Sequence, residues 1–101
     1  MTLKAAFIFL APEVNPEKDR QTVITPQVEL TAVAANNYKE AEAVAIKLVE
    51  QGIEAIELCG GFGNKGTARI AEAVAGKAAV GVVRFDGHPG LNGKSGDELF
   101  K

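Results

Sequence analysis

The sequence predicts an α/β domain in which helices cover both faces of a mostly parallel, four-stranded sheet, giving three layers. Short apolar runs alternate with segments of helical periodicity, and glycines follow the helical segments, as is typical of right-handed strand–helix–strand units. The chain has 101 residues, of which 47% are apolar and 24% charged. A chain of this size can bury one hydrophobic core, so residues 1–101 are expected to form a single domain.

The first predicted strand is Lys4–Leu10 (KAAFIFL). It is apolar after its first residue, as in a strand that is buried on both faces. Asn15, Pro16 and Glu17 then form a helix-start signal, with a capping side chain, a proline in the first turn and an acidic residue near the positive helix end. A short helix and a loop both remain open for residues 15–22.

The second predicted strand, Gln27–Val33, alternates apolar and polar residues and is expected at a sheet edge. The next helix begins near Asn37, since Glu40 lies three residues further on as in a capping box. Its apolar stripe ends at Gly52, which supplies a C-terminal stop.

The third predicted strand is Ile53–Cys59, and the fourth is Ala78–Phe85. Between them, Thr67–Ala75 is helical in composition and stops at Gly76. The segment after residue 85 contains too many glycines for a regular element before its last few positions.

The preferred strand order is 2-1-3-4. The alternative is a two-layer α+β sheet with strand 1 antiparallel, because the connection between strands 1 and 2 need not contain a helix. In the preferred order the apolar fourth strand lies at an open edge, which is an aggregation hazard unless it is covered. A homo-oligomer is therefore expected.

Composition narrows the classes of function. The formal charge is −2 and the eleven Lys and Arg residues are scattered, so no nucleic-acid surface is expected. No apolar stretch approaches the roughly 20 residues of a membrane span. The single cysteine, Cys59, cannot form an internal disulfide, which favours a reducing, cytoplasmic compartment.

Residues 57–66 read ELCGGFGNKG, and Gly61, Gly63 and Gly66 have the G-x-G-x-x-G spacing of a dinucleotide-binding turn. Asp86 occupies the place of the acidic residue that would bind a ribose. The fifteen residues after it (101 − 86) are too few for the further strand–helix units that a dinucleotide requires, so no cofactor is expected. The P-loop pattern fails, because glycine rather than Ser or Thr follows Lys65.

A smaller ligand fits the same loop better. Backbone N–H groups at the positive end of the following helix can hold a phosphate or carboxylate. The structural alternative is a turn that needs glycine for positive φ and for close packing. The candidate binding residues of the loop, including an aromatic ring able to stack on a ligand, are Gly60, Gly61, Phe62, Gly63 and Asn64.

Two charged residues interrupt apolar strands near their carboxyl ends. Burial of a charged side chain costs free energy unless it is paired with an opposite charge or takes part in a site. Glu57 and Arg84 are therefore added to the binding candidates. A structural ion pair and a role in the site both remain open. In either case the two side chains are expected to lie close together.

A nucleophilic site is a further hypothesis. Cys59 precedes a predicted helix N-terminus, where a thiolate is favoured, and His88 and Asp86 are the candidate base and orienting acid. Packing of Cys59 in the core is the alternative. No metal site is predicted, because these residues lack a recognisable ligand spacing.

The segments KAAFIFLAPE, IELCGGFG and GVVRFDGHPG resemble a family of short bacterial proteins catalogued as a domain of unknown function. The resemblance spans nearly the whole chain and implies a stand-alone cytoplasmic domain, with no activity or catalytic residue attached. Two functional hypotheses follow. The first is a protein that binds a small anionic metabolite and acts on it or only binds it. The second is a non-catalytic oligomeric or regulatory module.

Overall fold

The computed structural model describes residues 2–100 and contains a five-stranded mixed sheet. The elements are β1 (Leu3–Leu10), β2 (Arg20–Ile24), β3 (Val28–Ala35), α1 (Tyr38–Glu50), β4 (Ala55–Leu58), α2 (Asn64–Val74), β5 (Ala79–Val82), a 3-10 turn (Pro89–Leu91) and α3 (Gly96–Leu99). The strand order is β2-β3-β1-β4-β5. The α/β class and the mostly parallel sheet are confirmed, but the predicted count of four strands is wrong.

The additional strand is β2, which pairs antiparallel with β3 and lies at the edge of the sheet. The helix-start signal at residues 15–17 produces only one turn, in which the carbonyl of Asn15 accepts the N–H groups of Lys18 and Asp19. The carboxylate of Asp19 accepts the N–H of Asn15 at 2.7 Å and closes this turn. The chain then extends through Thr22, Val23 and Ile24, whose β-branched side chains favour a strand.

The domain has two layers, so the expected three-layer arrangement is wrong. The crossovers β3–α1–β4 and β4–α2–β5 run in the same direction across the sheet, and right-handed crossovers of one direction place their helices on one face. Helices α1 and α2 pack against each other there. The connection from β1 to β3 runs the opposite way, but it contains β2 and no helix. The alternative prediction had the right number of layers, but β1 is parallel to both neighbours.

The hydrophobic core lies between the two helices and one face of the sheet. Alternate residues of the strands supply that face, and the apolar stripes of α1 and α2 cover it. The core includes Ala6, Ile8, Val33, Ala35, Ile56 and Leu58 from the strands, and Val44, Leu48, Ile70 and Val74 from the helices. Within residues 2–100 no helix combines the length and apolar character needed to cross a membrane.

Helix α1 begins as the sequence predicts. The side chain of Asn37 accepts the N–H of Glu40 at 2.8 Å. The carboxylate of Glu40 reaches one residue further back than in a standard capping box and accepts the N–H of Asn36 at 2.8 Å. The helix is followed by Gly52 with a φ of 99°, a conformation that favours glycine.

Candidate functional site

The glycine-rich loop joins β4 to α2, as predicted, and its first N–H groups have partners inside the chain. The N–H of Gly61 donates to the Sγ of Cys59 at 3.3 Å, and the N–H of Phe62 donates to the carbonyl of Cys59 at 3.0 Å. The N–H of Gly63 donates to the hydroxyl of Tyr38 at 2.9 Å. The ring of Phe62 is 2% exposed and stacks on Tyr38 with centroids 5.5 Å apart, so most of this side chain belongs to the core.

An internal carboxylate caps α2. Asp97, just inside α3, accepts the N–H of Lys65 at 3.0 Å and the N–H of Gly66 at 3.1 Å. It also accepts the hydroxyl proton of Tyr38 at 2.9 Å. A side chain of the protein therefore occupies the place where a helix N-terminus would hold an anionic ligand. Within residues 61–66 the N–H of Asn64 is the one for which the structure gives no partner in the chain.

The pKa values of this pair show how the surroundings select its charge state. Burial alone would raise the pKa of Asp97, but hydrogen bonds from Lys65, Tyr38 and Gly66 outweigh it and lower the pKa below its ordinary value. Burial raises the pKa of Tyr38 to about 12, and the neighbouring charge of Asp97 acts in the same direction. Tyr38 is thus held as a neutral hydroxyl beside an ionised carboxylate.

The same pair explains two of the three glycines of the G-x-G-x-x-G spacing, Gly63 and Gly66. A Cβ atom at Gly63 would collide with the carboxylate of Asp97, and a Cβ atom at Gly66 would collide with the ring of Tyr38. None of the glycines between residues 60 and 66 has a positive φ. Close approach of side chains to the backbone, rather than a left-handed turn, is therefore what requires glycine here.

Beside the loop lies a cleft of about 340 Å³, which we call the loop cleft. It opens where β4 and β5 end and α2 begins. The lining contains apolar side chains, small polar side chains and one ion pair. The lining residues are Phe62, Gly63, Asn64, Thr67, Val82, Arg84, Phe85, Asp86 and Ser95.

The two charged residues Glu57 and Arg84 have different neighbours. The Nε of Arg84 donates to Asp86 at 3.0 Å, and both side chains are largely exposed. Glu57 lies in register with Phe7 and Gly81, while Arg84 lines the loop cleft together with residues of α2. Among the described residues no ion pair joins Glu57 to Arg84, so the first of the two alternatives, a structural ion pair, is not formed.

The candidate catalytic residues are not hydrogen-bonded to one another. The Nδ1 of His88 accepts the N–H of Gly90 at 2.9 Å, which caps the following 3-10 turn. Its ring packs on Phe85 at a centroid distance of 4.6 Å, and the ring of Phe85 covers Gly60 next to Cys59. In the part of the chain described by the structure, no group of three or more His, Cys, Asp or Glu side chains could hold a metal ion.

Sequence reasoning missed Tyr38 and Asp97. Tyr38 is the single tyrosine and begins α1. Asp97 lies in the first turn of α3, where its N–H donates at 3.1 Å to the side chain of the capping residue Ser95. The two residues are 59 positions apart, and no periodicity links them. The short Ser-Gly-Asp-Glu run is a helix-start signal that a closer examination of residues 95–98 would have found.

A model of the family of unknown function DUF6506 matches residues 3–98, and the chain belongs to that family. The resemblance inferred from the three sequence segments is thereby confirmed. No curated protein and no solved structure is significantly similar to it.

Proposed function

We propose that this member of DUF6506 binds a small organic anion, a carboxylate or a phosphate ester, in the loop cleft. The observation that carries the proposal is that Arg84 and Asn64 line the same cavity. Arg84 carries a guanidinium group, and within the described residues the backbone N–H of Asn64 is given no partner. The proposed site lies at the carboxyl ends of parallel strands, where α/β sheets commonly bind ligands.

Arg84 is the group that would recognise the charge. Its Nε is engaged by Asp86, which leaves the terminal nitrogens of the guanidinium group as the donors for a ligand. Because the side chains of Arg84 and Asp86 are 68% and 84% exposed, their ion pair contributes little free energy. An incoming anion can therefore share or replace Asp86 at small cost.

The apolar part of the cleft favours an organic ligand over a bare inorganic ion. Phe62, Val82 and Phe85 supply hydrophobic surface, and Thr67 and Ser95 add small polar groups to the lining. The volume of about 340 Å³ is near the lower end of the range for ligand pockets. A carboxylate or phosphate on a short carbon skeleton fits these dimensions.

Calorimetric titration tests this proposal with inorganic phosphate, succinate and phosphoenolpyruvate as probes. We expect an organic probe to bind more tightly than phosphate, and Arg84→Gln to weaken its binding about tenfold or more, as for the loss of a charged hydrogen bond. Lys77→Gln is the matched control, because it changes the net charge equally outside the lining of the loop cleft. Absence of binding by all three probes, or equal loss in both variants, contradicts the proposal.

A catalytic role for Cys59 with His88 and Asp86 is a further part of this proposal. To act as a base through Nδ1, His88 would have to release the N–H of Gly90, and Asp86 would have to leave Arg84. Binding is therefore the role for which the cleft is already arranged. A Cys59→Ser variant that binds the best probe unchanged, but no longer converts it, would support the catalytic role.

A second candidate is a non-catalytic oligomeric or regulatory module. It is favoured by the internal use of the loop, since Tyr38 and Asp97 take up three of its N–H groups. In this case the loop connects α2 to residues 95–100 and binds nothing. Removal of residues 95–101 separates the two candidates: a changed assembly state favours this second candidate, whereas unchanged assembly with altered probe binding favours the first.

A further inference from the structure

We propose that two copies of this chain pair back to back through the sheet face that carries no helix. We call it the open face. Side chains alternate along a strand, and Ala6 and Ile8 of β1 are both 0% exposed in the core beneath the helices. Phe7 and Phe9 therefore project from the opposite side, where their rings stack at 6.4 Å and remain outside the core cluster.

The open face is mostly apolar, with Gln21 on β2 and Glu57 on β4 as the exceptions on its row through Phe7. Leu3 on β1 is 45% exposed and Val23 on β2 is 60% exposed, and the strand register places both on the same side as Phe7. Among the strand residues described on this side, Glu57 is the one charged side chain. A continuous apolar surface of this kind on a small domain marks an interaction site.

Its dimensions match those of a dimer interface. Five strands spaced about 4.8 Å apart give a width of roughly 24 Å, and strands of four to eight residues give a mean length of roughly 20 Å. Pairing two such faces removes on the order of 1,000 Å² from solvent, the lower bound for a specific interface. The area is therefore sufficient for a second copy.

One row of residues across the sheet is self-complementary. The strand register aligns Gln21, Ala32, Phe7, Glu57 and Gly81, in that order, on the open face. A two-fold axis parallel to β1 and passing over Phe7 reverses this row in the second copy. Phe7 then meets its equivalent, Glu57 meets Ala32, and Gly81 meets Gln21, so that apart from the central Phe7 pair each long side chain opposes a small residue.

The one charge selects this arrangement. With the axis parallel to β1, the carboxylate of Glu57 lies next to the side-chain amide of Gln21 from the second copy, which can donate to it and offset its desolvation. With the axis perpendicular to the strands, Glu57 would face its own equivalent. Self-complementarity of one surface is what a two-fold interface requires, and a second copy supplies it.

Sedimentation equilibrium tests the pairing. We expect a dimer, and we expect Phe7→Glu to raise its dissociation constant at least about 30-fold, as at an interface hot spot. Ile46→Glu is the control, since Ile46 is an exposed apolar residue on α1, on the helical side. Three results would overturn the proposal: a monomeric wild type, a larger closed oligomer, or a dimer that tolerates Phe7→Glu. In the first case the open face would serve another partner.

A second pair of variants avoids any effect of Phe7 on folding. Gln21 is exposed at the edge of the sheet, so its substitution leaves the core intact. We expect Gln21→Lys to tighten the dimer and Gln21→Glu to loosen it, each a few-fold, and both effects to vanish in a Glu57→Gln background. Equal dissociation constants for the two Gln21 variants would overturn the proposed arrangement.

Discussion

The hydroxyl of Tyr38 donates to the carboxylate of Asp97 at 2.9 Å, although 59 residues separate them in the chain. Through this contact the beginning of α1, the beginning of α2 and α3 meet at one point, which we call the Tyr38–Asp97 clasp. The clasp satisfies the N–H of Gly63 and two N–H groups of α2. It is a structural element placed where the sequence led us to expect a ligand.

Asp97→Asn should lower the free energy of unfolding by about 1 to 2 kcal/mol. The amide keeps the shape of the side chain, but charged hydrogen bonds are stronger than neutral ones and the helix N-terminus favours an anion. Urea denaturation at fixed chain concentration measures the change. Glu98→Gln is the control, because Glu98 is exposed and has no side-chain hydrogen bond within the described residues. Equal stability of the two variants would contradict the capping role of Asp97.

Stability should also fall in acid because of Asp97. Its pKa is lowered in the folded state, whereas the unfolded value is near 3.9. Between these two pKa values the unfolded chain binds more protons than the folded chain. The contribution of Asp97 to the free energy of unfolding is therefore fully present above about pH 5 and is lost as the pH falls through the folded pKa. When the wild type and Asp97→Asn are denatured over this pH range, the difference between their free energies of unfolding should therefore shrink toward low pH. A constant difference would contradict this.

Tyr38 can be titrated directly, because it is the single tyrosine and the chain has no tryptophan. Near-ultraviolet absorbance should give a midpoint near pH 12 in the folded protein and near 10 in urea. Since the folded chain holds its proton longer, stability should decrease as the pH rises between these values. A folded midpoint near 10 would show that the hydroxyl is accessible to solvent and the clasp is open.

Gly66→Ala should destabilise the protein by up to about 2 kcal/mol, although alanine is the better helix former. The added methyl group collides with the ring of Tyr38, and overpacking of this kind costs about 1 to 3 kcal/mol against a propensity gain of about 1. Ala68→Gly on the exposed side of α2 is the matched reverse exchange and should lose about 1 kcal/mol through propensity alone. A stabilised Gly66→Ala variant would rule out the close approach.

Local patterns in the sequence were sufficient for much of the fold. The apolar run at Lys4–Leu10 and the capping pair Asn37 and Glu40 predict β1 and the start of α1, because each depends on residues within one element. The turn between β4 and α2 was predicted for the same reason, since a strand pattern, glycines and a helix pattern follow one another.

The number of layers depends on whether the connection between β1 and β3 forms a helix or a strand, and the sequence favours each in part. Asn15, Pro16 and Glu17 favour a helix, whereas Thr22, Val23 and Ile24 favour a strand. Pairing with β3 gives residues 20–24 backbone hydrogen bonds and neighbouring side chains across the sheet, whereas a short isolated helix is only marginally stable. Because this one connection contains no helix, one whole face of the sheet is left uncovered.

The sequence brought some of the candidate residues together but gave no detail of their contacts. Asn64, Arg84 and Asp86 do line one cleft, since the ends of neighbouring strands meet. The role of Asp97 could not be predicted, because a contact over 31 or 32 residues to α2 leaves no local spacing. Glycines that accommodate a side chain of the protein and glycines that accommodate a ligand have the same sequence pattern.

The Tyr38–Asp97 clasp has a consequence for biosynthesis. While the ribosome is still translating the segment between β5 and α3, the hydroxyl of Tyr38 and the first N–H groups of α2 have only water as partner. All five strands and both long helices precede Asp97 in the chain, so Asp97 cannot cap the N-terminal end of α2 until it has been added. The helix dipole and the first N–H groups of α2 are therefore satisfied last, by a residue that follows every strand of the sheet in the chain.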